Sequence, residues 1–306
     1  MNSYATSTWK NFKTQYNSYS RFCRIFGYQL FPCSNFILCR YAVFISFYLK
    51  TFSSVAQYVS GVRTLHYLDG HIPLGSDPIL IRILAGIKRK LMCEVQQAVP
   101  VTIPLLVAIS AIVDISQPSQ LVCFSALLVG FYLFLRSGNL VPKSQATFDP
   151  TRHLTRSSLI ISESLILVVI QSTKTRQYGS KQLKVPLLPV SKQSICPKKW
   201  LTMMIRAIPA SPEDPLFSIP TPLGNRALSY STLAHQYKQW VQTLGLQGNY
   251  TLHGLRRGGA THAFETGISD HLIRTLGDWA SNCFRRYIDV TMDSRLRASI
   301  MFADNI

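Results

Sequence analysis

Acidic residues are scarce in this chain. Of 306 residues only 14 are Asp or Glu, against 32 Lys or Arg, giving a formal charge of +18. Charged residues make up just 15% of the chain, so the imbalance comes from missing acids and not from a lysine-rich tail. Such a surplus points to a polyanionic partner, nucleic acid first and an acidic membrane surface second. Long apolar runs are missing as well. The longest, about Leu121 to Leu135, falls short of the ~18 residues of a spanning helix and reads as a buried helix of a soluble protein. Met1 to Lys13 holds no apolar stretch of the signal-peptide kind. Cysteines number seven, an odd count without a CxxC pair, which argues for core thiols in a reducing compartment and against a disulfide framework. His253, His262 and His271 are spaced nine apart, not four, so no metal-ligand pattern emerges and no cofactor is expected. Internal repeats and low-complexity tracts are absent too. What is plentiful is hydrophobic residues, at 47%, which excludes a mainly disordered chain. The length suits two domains, each with its own core.

The first third reads as four helices. Trp9, Phe12, Tyr16, Tyr19, Cys23 and Phe26 recur at three- and four-residue steps on one face of a helix ending at Gly27. A second block, about Phe36 to Leu49, is apolar nearly all round and should be central. Val55 to His66 repeats the helical spacing, and Asp77-Pro78 opens a fourth helix with an N-cap and a first-turn proline, running to Lys88-Arg89-Lys90. Ala98 to Pro104, with two prolines and no charge, reads as an extended linker. The expected organisation is a helical domain over 1–96, a linker over 97–104 and a second domain over 105–306. In the latter, two apolar helices (about Pro104 to Ile115 and Ser119 to Leu135) precede short β-branched runs at Leu159 to Ile161, Leu165 to Ile170 and Leu183 to Leu188, as in a small antiparallel sheet. Five prolines between Pro209 and Pro222 suggest a long surface loop, after which helices resume at about Ser229, His253, Ser269, Ser281 and Met292.

Several residues carry chemistry. His253 and Arg256 lie three apart at the start of a helix, on one face, where Arg256 can grip an oxyanion with two parallel hydrogen bonds and His253 can donate or accept a proton. An isolated pair of this type is more often a capped surface helix. Arg136 stands where the buried helix meets the turn Ser137-Gly138-Asn139, as a snorkelling helix-end cation or as a phosphate clamp. Lys174 sits in a turn between two strands, either solvated or able to protonate a leaving oxygen. Tyr287 follows Arg285-Arg286, whose charge favours its phenolate and attracts phosphate.

Together these segments resemble the tyrosine recombinase (phage integrase) family, and among its members the recombinases of eukaryotic mobile elements. Phe134-Leu135-Arg136-Ser137-Gly138-Asn139-Leu140 resembles the first-arginine box and Thr173-Lys174-Thr175-Arg176-Gln177-Tyr178-Gly179 the β-hairpin lysine. His253-Gly254-Leu255-Arg256-Arg257-Gly258-Gly259-Ala260-Thr261 is similar to the HxxR box, the most specific match. Gly277-Asp278-Trp279-Ala280-Ser281 with Arg286-Tyr287-Ile288 resembles the terminal box with its nucleophile. Two positions depart from the family pattern. Asn139 stands where an acid is common, and Trp279 lies eight residues before Tyr287 where many members keep nine, the ninth being Asp278. Trp279 is assigned to the His/Trp position, because an indole N–H donates to phosphate and a carboxylate repels it.

The resemblance implies a mainly α fold with a small antiparallel sheet, a helical core-binding domain and a catalytic domain that close around duplex DNA. It also implies a metal-independent strand transfer in which Arg136, His253, Arg256 and Trp279 hold the scissile phosphate, Lys174 protonates the leaving 5′-oxygen and Tyr287 forms a 3′-phosphotyrosyl link. A homo-tetramer on two DNA duplexes, action in integration or recombination of a mobile element, and nuclear residence follow from the same resemblance. Type IB topoisomerase-like DNA relaxation is the alternative enzyme, and a domesticated, inactive DNA-binding protein the alternative outside enzymology. A membrane role finds no helix with a consistently basic face.

Overall fold

A computed structural model of the chain describes residues 4–91, 97–171, 182–288 and 292–303. The chain divides into two compact units, Met1–Val95 and Gln96–Ile306.

In the first unit, α1 (Thr6–Phe26) stops at Gly27, which supplies the left-handed C-cap at φ 70°. α2 (Asn35–Ser46) and α3 (Phe52–Leu68) start on Ser34 and Thr51, whose hydroxyls accept from backbone N–H groups of the first turn. α4 (Pro78–Lys90) starts as expected, with Asp77 accepting from Ile79 and Leu80 and Pro78 in the first turn. The buried stripe of α1 is rotated from the expected one. Phe12, Gln15, Tyr19, Phe22 and Cys23 are buried, whereas Trp9, Tyr16 and Phe26 are exposed. The cause is Gly61 on α3, which leaves the space that the Gln15 side chain fills: a Cβ there would lie 1.9 Å from Gln15 Oε1. Nor is α2 enclosed all round. It buries Leu38, Cys39, Tyr41, Ala42 and Ile45 but exposes Phe36 and Val43, with the Arg40 guanidinium 4.8 Å from the Phe36 ring centre.

The second unit is built around α6 (Pro118–Tyr132), preceded by α5 (Ile103–Ile112) and followed by the short α7 (Ser137–Leu140). Every residue of α6 from Leu121 to Phe131 is buried, as its apolar run demands. A three-stranded antiparallel sheet follows, in the order β1 (Leu159–Ile161), β2 (Ile166–Ile170), β3 (Leu183–Leu187). α8 (Pro197–Ala207) has no counterpart in the sequence expectations. It opens on Pro197 and buries Trp200, Leu201 and Met204 on one face against α6. The proline-rich stretch expected as a surface loop contains a strand, β4 (Ser218–Thr221), paired with β5 (Gly224–Ala227). Pro220 is tolerated because a two-stranded sheet consists of edges. Then come α9 (Tyr230–Thr243), α10 (His253–Glu265), α11 (Asp270–Leu276) and α12 (Met292–Ala303). The helix expected over Ser281 to Ile288 is instead a 3₁₀ turn over Asn282–Arg286.

Ala98 to Thr102, within the stretch expected as an extended linker, is extended and hydrogen-bonds to the second unit. Val99 N–H donates to the Asn249 carbonyl and Val101 N–H to that of Gly254, both at 3.0 Å, and the Val101 side chain is buried. Cys23, Cys33, Cys39, Cys123 and Cys196 are buried thiols; Cys283 is exposed. No described helix is long and apolar enough to cross a membrane.

Candidate functional site

The site forms where α10 passes between two backbone segments. A Cβ on Gly258 would lie 1.8 Å from the Val101 carbonyl oxygen and one on Gly259 2.3 Å from that of Phe131, so only glycine lets the helix approach both. This seating puts Arg256 inside the protein, with 2% of its surface accessible.

Two helix ends meet its guanidinium. α6 closes with Leu135 N–H donating to the Gly130 carbonyl, which leaves Phe134 in the left-handed region at φ 49°. α11 closes the same way: Trp279 N–H donates to the Arg274 carbonyl and Asp278 sits at φ 52°. Arg256 Nη1 donates to the Phe134 carbonyl, and Nη2 donates to the Gly277 carbonyl at 2.8 Å. The negative ends of two helices thus offset part of the cost of burying this cation. A left-handed non-glycine residue costs about 1–2 kcal/mol, which the packing of the surrounding cluster over-determines at each end. Gly277 itself stays at negative φ and is glycine for space, since a Cβ would lie 1.7 Å from Trp279 Cζ3.

The Trp279 ring covers the other side of the guanidinium, its centre 3.8 Å from Arg256 Cζ. Its indole Nε1 is enclosed and has no hydrogen-bond partner among the described residues. The phosphate-donor role expected for this N–H therefore has no open path to solvent in this arrangement. Tyr287 follows the 3₁₀ turn and is half-buried, with its ring centre 5.5 Å from Arg256 Cζ, 5.5 Å from the Trp279 ring and 5.1 Å from that of His253. Phe134, Ala260, Ile273 and Phe284 complete the apolar cluster beneath them.

His253 opens α10 with its ring toward Tyr287. Burial lowers its pKa, and the charges of Arg256, Arg257 and Arg136 lower it further, so the imidazole is neutral at pH 7. Burial likewise lowers the proton affinity of Arg256, with Arg136 adding to it; Tyr287 and Asp278 act in the opposite sense. Arg136, half-buried at the end of the segment leaving α6, is thus close enough for its charge to act on both His253 and Arg256. Lys174 lies outside the described residues, between β2 and β3.

The structure therefore brings together Arg136, His253, Arg256, Trp279 and Tyr287. Sequence reasoning missed the groups that place them. The Phe134 and Gly277 carbonyls hold Arg256, Arg257 donates to the Ala98 carbonyl at 2.9 Å, and Thr261 Oγ1 donates to the Tyr287 carbonyl at 3.3 Å. Guanidinium groups, a neutral imidazole and a phenol in one place can bind a tetrahedral oxyanion and attack it.

No protein-family model matches the chain, and no curated protein sequence does either. Solved structures do. XerH site-specific recombinase bound to palindromic difH substrate, in a post-cleavage complex, matches with TM-score 0.65 and 14% identity over 94% of this chain and 77% of that one. A lambda integrase dimer bound to a COC′ core site matches with 0.61 and 15%, over 94% and 90%. Tn1549 transposon integrase in complex with transposon right end DNA matches with 0.64 and 11%, over 99% and 95%. These neighbours are tyrosine recombinases and integrases, and theirs is the fold of this chain.

Proposed function

We propose that this protein cleaves and rejoins DNA strands through a covalent bond to Tyr287. The observation that carries the reading is the placement of the Tyr287 ring beside both His253 and the buried Arg256 guanidinium. Arg136 and Arg256 hold the scissile phosphate and neutralise the charge that grows on its oxygens in the transition state, a role fixed donors fill without reorganisation. Neutral His253 takes the phenolic proton as the Tyr287 oxygen attacks phosphorus. The bond from phosphorus to the 5′-oxygen breaks, Lys174 protonates that oxygen, and a 3′-phosphotyrosyl link remains. A 5′-hydroxyl from a partner strand then attacks the link, returning the proton balance and freeing Tyr287. Trp279 serves here by holding Arg256.

The chain's charge of +18 suits duplex DNA as partner. Joining strands of two duplexes needs more than one copy of the chain, and the family resemblance alone suggests a homo-tetramer acting in the nucleus on a eukaryotic mobile element. The test is a nicked duplex made from the element's own termini, which loses the short fragment that rejoining needs. Wild-type protein should accumulate on it, in EDTA, as an adduct that survives denaturant. Binding to those termini without any adduct would leave a DNA-binding protein in place of an enzyme.

A further inference from the structure

The segment bearing Tyr287 is held by several contacts among the described residues. Phe284 is buried, with its ring centre 6.0 Å from that of Trp279. Arg285 donates twice to Asp270 Oδ2, at 2.8 and 3.1 Å, but that pair is exposed and contributes little. Another tie is the hydroxyl of Thr261, buried on α10, donating to the carbonyl of Tyr287 itself. It joins the backbone of the nucleophile to the helix that carries His253 and Arg256. A Val at that position would have the same shape and the same packing, so the hydroxyl has a use beyond filling space.

We propose that Thr261 is a positioning residue: by holding the Tyr287 backbone to α10, it presents the phenol to the phosphate gripped by Arg256. This rests on the strand-cleavage reading.

The test uses Thr261→Val, which removes the hydroxyl at constant shape, and Thr261→Ser, which restores it. Single-turnover adduct formation on the nicked terminal duplex should slow about two- to tenfold in the Val variant, the worth of one hydrogen bond, and recover in the Ser variant. Kd for the duplex should not change. Amide exchange at residues 284–288 of the free protein, a readout that needs no catalysis, should rise in the Val variant alone. An unchanged rate together with unchanged exchange overturns the role of Thr261. If wild-type protein forms no adduct, the strand-cleavage reading fails, and amide exchange still decides whether Thr261 ties the segment down.

Discussion

Phe134 and Asp278 adopt the same left-handed backbone at the ends of α6 and α11, and the Arg256 guanidinium lies between those two ends. The arrangement shows what surrounds this almost wholly buried cation: two peptide carbonyls accept from it and an aromatic face covers it.

Trp279 should act through its ring and not through its N–H. Trp279→Phe, which keeps a face over Arg256, is expected to retain most of the cleavage rate. Trp279→Ala loses a desolvated cation–π contact of about 2 kcal/mol and opens a cavity, so its rate should fall by ten- to a hundredfold. Single-turnover rates of the two variants check this. Equal, severe losses in both would restore the N–H as the working group.

Gly258→Ala should lower stability by about 1–3 kcal/mol or more, because the obstacle 1.8 Å from the new Cβ is backbone. Gly86→Ala, in α4 with nothing within 4 Å, should have the opposite sign and stabilise by roughly 1 kcal/mol. Urea unfolding of both variants checks the pair.

The pH dependence follows from His253. Its pKa in the folded protein is lowered, first by burial and then by the neighbouring arginines, so it stays neutral and able to take a proton below the usual ~6.5. The acid limb of the cleavage rate should therefore fall below ~6.5. With a depressed folded value, its contribution to stability is complete above the unfolded pKa and declines as pH falls through the folded one. His253→Gln should flatten that decline. An NMR titration of the His253 ring with a midpoint at or above the ordinary value would contradict both expectations.

Lys174→Ala should slow cleavage while leaving DNA affinity nearly intact, since the leaving oxygen needs its proton in the transition state. A 5′-bridging sulfur, which leaves without a proton, should restore much of the rate. Failure to restore it would pass the role to Lys181 or Lys184, of which Lys184 lies exposed on β3.

What the sequence makes legible is what residue type alone encodes. The HxxR pair, the apolar run of α6, the Asp77-Pro78 start and the three β-branched strands all follow from spacing and propensity. What it hides is set by tertiary contact. At the end of α11 the left-handed backbone falls on Asp278, while Gly277 stays at negative φ and leaves the space that Trp279 fills. Phe134 gives no signal at all, since nothing in its type announces a positive φ. The stripe of α1 turns on a single glycine in α3, and Pro220 conceals a strand because prolines read as loop. Thr261 looks like an ordinary helical threonine until the Tyr287 carbonyl is found against it.

The central claim is that Tyr287 becomes covalently joined to DNA. Protease digestion of the denatured adduct and mass spectrometry of the DNA-linked peptide test it most directly. The expected result is a 3′-phosphate ester on Tyr287, formed in EDTA by the wild-type protein and absent from a Tyr287→Phe protein that binds the same termini with unchanged Kd. A DNA-linked peptide from elsewhere in the chain, or an adduct that persists in Tyr287→Phe, would contradict it.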